Sequence, residues 1–230
     1  MQSKMLVLFD IDGTLLRTNR AGLRAMAIAV KRLHAIDGAT FDNVQTAGRL
    51  DPLIWNDLFA SLDLETSEEN HEAFRAMYGE ELQRIFAEEK PAVAMPGVHE
   101  AVAYVREHPE MTCALLTGNY PETGWMKLRE IGFSEDDFEF GTWGTEAKTR
   151  RGLPPIALKR HGGDLLPQSA LIIGDTPADI DCAHASGCRV LAVATGNSDL
   201  ASLAAHNPDA LMEDLSDHAA FRETLQTLRA

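Results

Sequence analysis

The stretch Met5-Leu-Val-Leu-Phe-Asp-Ile-Asp-Gly-Thr14 decides how this chain folds. Five apolar residues stop abruptly at Asp10, so Met5 to Phe9 predicts a short buried strand. Asp10 to Thr14 then predicts a turn, because Gly13 tolerates backbone angles that other residues avoid. The strand therefore delivers two carboxylates, Asp10 and Asp12, at its carboxyl end.

The next region has a different period. Leu23, Met26, Val30 and Leu33 recur at helical spacing. Asp51-Pro52, an N-cap followed by a first-turn proline, starts a second helix, with Leu53, Ile54, Leu58, Phe59 and Leu62 as its apolar face. Thr66 with Glu69 resembles a capping box for a third helix ending before Pro91. Residues 18–91 thus read as an all-helical insertion.

After Pro96-Gly97 helix and strand alternate. Strands are expected at 112–116, 138–140, 170–173 and 189–194, with a weak one at 210–212. Helices are expected on the stripe Val98, Ala101, Val102 and Val105, and at 124–131, 155–161, 178–185, 198–205 and 216–228. The alternation predicts an α/β fold: an open, mostly parallel sheet with helices on both faces, formed by residues 1–17 and 92–230.

Composition sets the limits. The 230 residues are 45% hydrophobic and 24% charged, enough for one full domain and a smaller one. A formal charge of -14 repels nucleic acid and anionic lipid, so neither is an expected partner. An anionic metabolite would need a local positive site. The apolar run at the N-terminus is too short for a targeting signal, and no segment approaches the ~20 apolar residues of a membrane helix. Cys113, Cys182 and Cys188 have no metal-ligand spacing and read as reduced thiols of a cytoplasmic protein.

Ligands of open parallel sheets bind beyond the carboxyl ends of the strands, where strand order reverses. Three apolar strands end in useful polar residues: Asp10-x-Asp12-Gly-Thr14, Thr117-Gly118-Asn119, and Gly174-Asp175-Thr-Pro-Ala-Asp179. If these strands are neighbours, their tips converge. Asp10 and Asp175 can share a divalent cation, and all-oxygen ligands suit Mg²⁺, with Mn²⁺ fitting a similar geometry. Asp10 can attack phosphorus in line to form an aspartyl-phosphate. Asp12 can protonate the leaving oxygen and later activate water. The Thr117 hydroxyl and the Gly118 and Asn119 amides can hold the phosphoryl oxygens.

Asp-Ile-Asp-Gly-Thr-Leu, Leu-Leu-Thr-Gly-Asn and Gly-Asp-Thr-Pro-Ala-Asp-Ile, in this order, resemble the haloacid dehalogenase-like hydrolase superfamily over the whole chain. The nearest likeness is to its phosphoglycolate phosphatase and beta-phosphoglucomutase branch, in which a helical cap follows the first motif. The resemblance implies a Rossmann-like core, Mg²⁺ and an aspartyl-phosphate intermediate. It makes Asp10 the nucleophile and Asp12 the general acid/base, with the Asp12 carbonyl on the metal. Thr117 becomes the phosphate-binding hydroxyl, Asp175 the acidic metal ligand, and Asp179 the second acid that orients the metal's water shell. The family usually places a lysine before the helix leading to the last motif. Here Thr149-Arg-Arg-Gly-Leu-Pro-Pro155 takes that place, and Arg151 is assigned the role by its spacing to Pro154, with Arg150 and Lys148 as alternatives. Thr46-Ala-Gly-Arg49-Leu-Asp51 resembles the cap loop that leans over the site, which offers Arg49 to a substrate carboxylate or second phosphate.

The expected activity is hydrolysis of small phosphorylated metabolites by a monomer or homodimer. Asp12 two residues after Asp10 argues against carbon-halogen cleavage, since the dehalogenases lack that second acid. The rivals are a phosphomutase of the same fold and a non-catalytic acidic metal- or phosphate-binding protein.

Overall fold

The computed structural model describes residues 5–162 and 165–229. Its centre is β1 (Met5–Phe9), every residue of which is buried. The strand serves two cores at once. Met5, Val7 and Phe9 pack into one hydrophobic cluster and Leu6 and Leu8 into another, as the period of two requires. An uninterrupted apolar run is therefore what a strand covered on both faces needs.

Beside β1 run β4 (Met111–Leu116) and β6 (Ala170–Gly174), both parallel to it. Beyond them lie β5 (Gly141–Thr142), β7 (Arg189–Val193) and β8 (Ala210–Met212). The six-stranded parallel sheet has the order β5-β4-β1-β6-β7-β8. The chain leaves β1 towards β5 on one side and returns to β6 on the other, so the order reverses beside β1. Phe9 is level with Leu115 on one side and with Ile173 on the other. The next residues, Asp10, Leu116 and Gly174, therefore lie side by side at the strand tips.

Helices α4 (Val98–Glu107), α5 (Pro121–Glu130), α6 (Leu153–His161), α7 (Pro177–Ala185), α8 (Leu200–Ala204) and α9 (His218–Arg229) accompany the sheet. The result is the Rossmann-like α/β core expected from the alternation. At the expected strand 138–140, Glu139 and Phe140 already exchange backbone bonds with Cys113 and Leu115 of β4, and the strand itself continues at Gly141–Thr142 after the 3-10 turn Glu135–Asp137.

Between β1 and β4 the chain leaves through β2 (Leu16–Arg17) and returns through β3 (Val93–Ala94), which pair antiparallel. Between them lie α1 (Ala21–His34), α2 (Asp51–Ser61) and α3 (Glu68–Glu89). These helices share a third cluster that includes Met26, Trp55, Phe59, Phe74 and Tyr78. The N-cap of α3 is Ser67, whose hydroxyl accepts from the Asn70 amide, not Thr66 as the capping-box pattern suggested. No helix among the described residues is long and apolar enough to cross a membrane.

Candidate active site

The tips of β1, β4 and β6 open into a cavity of about 400 Å³ between the sheet and the three inserted helices. Asp10, Asp12, Thr117, Asp175 and Arg150 line its floor. One carboxylate oxygen from each of Asp10, Asp175 and Asp179 lies within 4.8 Å of the other two, and all three residues are buried. Water therefore cannot solvate the cluster well, and the carboxylates repel one another.

Two devices hold it together. First, α7 opens with a capping box. Thr176 donates from its amide at 3.0 Å and its hydroxyl at 2.6 Å to Asp179 Oδ2, and the Asp179 amide returns a bond to the Thr176 hydroxyl. Second, the Arg150 guanidinium lies 2.9 Å from Asp10 Oδ2 and also pairs with Asp179 Oδ1. Burial pushes the Asp10 carboxyl up to about 6, against the pull of Arg150. Burial, with Asp179 and Asp10 beside it, holds Asp175 well above the usual carboxylate range. Burial opposes the charge of Arg150, but Asp10 and Asp179 outweigh it and raise its affinity for its proton.

Asp175 is reached only because its neighbours are small. A Cβ on Gly196 would sit 1.7 Å from Asp175 Oδ2, and one on Gly13, at φ 85, would sit 2.3 Å from it. The Thr14 hydroxyl donates to Asp175 Oδ1 at 3.0 Å. With both Asp179 oxygens already engaged, Asp10 and Asp175 retain acceptor capacity facing the same space. One guanidinium beside three carboxylates leaves the cluster short of positive charge. A divalent cation with oxygen preference fits this donor set.

Asp12 turns away from that cluster. Its Oδ2 accepts from Asn119 Nδ2 at 2.8 Å and from Lys127 Nζ at 2.6 Å. Thr117, fully buried, accepts from Asn119 Nδ2 at 2.8 Å. The Gly118 carbonyl accepts from the Asp51 amide at 2.7 Å, and the Asp51 carboxylate accepts from the Tyr120 amide at 3.0 Å. These bonds seat the start of α2 on the tip of β4. Burial pushes the Asp51 carboxyl up to about 7, with Lys127 pulling the other way.

The arginine assignment needs correction. Arg151 does not reach the cavity; its guanidinium is exposed and paired with Asp181 at 2.7 Å. Arg150 is the residue beside Asp10. The two begin a 3-10 turn, Arg150–Gly152, in which successive residues diverge by about 120°, so only one can face the sheet. Lys148 is exposed. Arg49 lines the cavity, but its guanidinium is already paired with Asp57, at 2.5 Å.

Lys127 was not anticipated, and Thr14 and Asp51, expected at a strand tip and a helix start, were not expected to bond Asp175 and the Tyr120 amide. Lys127 carried one signal: it shares the buried stripe of α5 with Thr123, Gly124 and Leu128, where an ammonium needs a partner.

Comparison with known proteins agrees with this architecture. A protein assigned as a phosphoglycolate phosphatase from Haemophilus somnus superposes with a TM-score of 0.73 at 21% identity, over 96% of this chain and 99% of that one. CbbY from Rhodobacter sphaeroides, solved with phosphate, gives 0.75 at 16% identity, over 93% and 96%. A protein assigned as a beta-phosphoglucomutase from Bacteroides vulgatus gives 0.71 at 22%, over 99% and 90%. At these identities the likeness is one of fold. No curated protein matches the chain. The haloacid dehalogenase-like hydrolase family model matches residues 4–187, most of the chain and all three strand tips, and the protein belongs to that family.

Proposed function

We propose that the protein is a phosphatase acting on small phosphate monoesters, with Asp10 as nucleophile. The observation that carries this reading is the placement of Asp10 between two unlike groups. On one side Asp175, Asp179 and Arg150 form a buried charged cluster; on the other Asp12 faces Lys127 and Asn119.

In the first step an Asp10 carboxylate oxygen bonds to phosphorus as the ester P–O bond breaks, and the Asp12 carboxyl proton passes to the leaving oxygen. The products are an alcohol and aspartyl-phosphate. In the second step Asp12, now a carboxylate, takes a proton from water as that water attacks phosphorus. Inorganic phosphate leaves and Asp10 is regenerated. Arg150 neutralises charge beside the nucleophile, and Thr117 with the Gly118 and Asn119 amides holds phosphoryl oxygens. Asp10, Asp175 and the Asp12 carbonyl would hold Mg²⁺, with Asp179 behind them. The ion supplies positive charge for the phosphoryl oxygens.

Against a binding-only role stands the Asp10/Asp12 pair, since a binding site needs no acid beside the nucleophile. The test is phosphate release from an aryl phosphate with Mg²⁺, with chelator, and in Asp10→Asn. Turnover that needs the metal and falls to background in the variant is expected. Undiminished turnover in Asp10→Asn would sink the nucleophile. An isomerised sugar phosphate, in place of free phosphate, would transfer the reading to a mutase.

A further inference from the structure

The two carboxyl oxygens of Asp12 are held unequally. Lys127 Nζ and Asn119 Nδ2 both donate to Oδ2, at 2.6 and 2.8 Å. Oδ1 accepts no hydrogen bond among the described residues, and the Asp12 side chain stays 44% exposed. Lys127 is only 4% exposed, and it also donates to Asn119 Oδ1 at 2.5 Å. Ammonium, amide and carboxyl therefore close a three-membered ring, and Asn119 ties that ring to Thr117.

Burying a lysine is costly unless it is paired and hydrogen-bonded, so so tight a placement calls for a reason. The inserted helices seal the ring from above. A Cβ on Gly22 of α1 would lie 3.8 Å from Lys127 Nζ and 3.2 Å from the Tyr78 hydroxyl of α3. The ring itself is made of core residues only, and the helices cover it.

Resting on the phosphatase reading, we infer that Lys127 is a positioning residue that selects which oxygen of Asp12 carries the transferable proton. A lysine ammonium has only donors. A proton on Oδ2 would face two N–H groups and no acceptor. In the protonated acid the proton is therefore placed on Oδ1, and the ring prevents the carboxyl from turning over. Without Lys127 either oxygen can be protonated and the carboxyl can swing, so proton delivery to the leaving oxygen becomes inefficient.

The experiment compares kcat/KM for a simple alkyl phosphate and for dinitrophenyl phosphate. The first has a poor leaving group that needs its proton; the second does not. Lys127→Met is paired with the double variant Asp51→Asn/Lys127→Met, which removes the acidic neighbour that loses its cation and keeps the fold accessible. Both are expected to lose about 100-fold or more on the alkyl ester, the scale of general acid catalysis, and less than about 5-fold on the aryl ester. Equal losses on both esters, or no loss on either, would overturn the assignment, because a merely structural lysine cannot discriminate between leaving groups. Wild-type protein inactive on both esters, or Asp10→Asn active on them, would instead overturn the phosphatase reading, and this inference with it.

Discussion

Arg150→Met should destabilise the protein far more than Arg151→Met, although the two residues are adjacent. Arg150 is 8% exposed, and its partners Asp10 and Asp179 are 7% and 0% exposed in their side chains. Removing one member of a buried ion pair leaves the other charge desolvated and uncompensated, at a cost of about 3–5 kcal/mol. For a chain of this size each kcal/mol lowers Tm by about 2–4 °C, so the fall is roughly 6–20 °C. The pH dependence has a definite sign. Asp10 already binds its proton up to about 6 with Arg150 present. Without the guanidinium the folded-state value is higher still, so Asp10 can stay neutral at pH 5 but must ionise or unfold the protein at pH 8. The deficit of Arg150→Met is therefore largest at pH 8 and shrinks as pH falls. The assay is thermal unfolding at both pH values, in chelator and then in saturating Mg²⁺. Mg²⁺ should restore part of the loss, since an ion bound only by the folded state stabilises it by mass action. Arg151 pairs with Asp181 in solvent, and its variant should melt with the wild type. Coincident melting of Arg150→Met and wild type in chelator at pH 8, or an equal fall for Arg151→Met, would refute the reasoning.

The remaining predictions concern neighbouring groups. Asp51 rises from an ordinary 3.8 to about 7, so its contribution to stability is full below pH 4 and is lost as pH climbs to 7. At about 1.4 kcal/mol for each pKa unit this is on the order of 4 kcal/mol. Asp51→Asn, which cannot ionise, should flatten that part of the urea-midpoint profile between pH 4 and 8; parallel profiles for variant and wild type would contradict it. Gly196→Ala places a methyl 1.7 Å from Asp175 Oδ2, so Asp175 must move. Mg²⁺ affinity measured by titration calorimetry should fall about 10- to 100-fold, the scale of damage to the support of a metal ligand, and unchanged affinity would show that the loop yields instead.

The fold was legible where local and long-range demands coincide. Met5 to Phe9 is apolar throughout because both faces are covered, and Asp10, Thr117 and Asp175 stand out because each ends such a run. What escaped depends on rotation or on distant pairing. Spacing to Pro154 placed the arginine pair but carried no information on which way a 3-10 turn would face, and Arg150 rather than Arg151 turned inward. Thr66 and Ser67 offer the same capping chemistry one residue apart, and the helix took the second. Lys127 meets Asp12 across 115 positions of sequence, and on α5 it looks like any solvated helix lysine until the neighbouring buried residues are counted.

The arrangement also accounts for an arginine at position 150. One guanidinium nitrogen serves Asp10 and Asp179 together, while the other points at the Gly48 carbonyl, 3.4 Å away in the loop before α2. Three segments distant in sequence, the tip of β1, the first turn of α7 and the loop over the cavity, thus meet on one side chain. A lysine carries its charge at a point and would satisfy the carboxylates or reach the loop; a planar fork with five donors spans them. The loop is in turn fixed to β4 through Asp51 and Gly118. The loop and the inserted helices therefore cover Arg150 and Lys127 together. Arg150 faces Asp10 and Lys127 faces Asp12, so the cover over both strengthens the electrostatics on the two sides of the site.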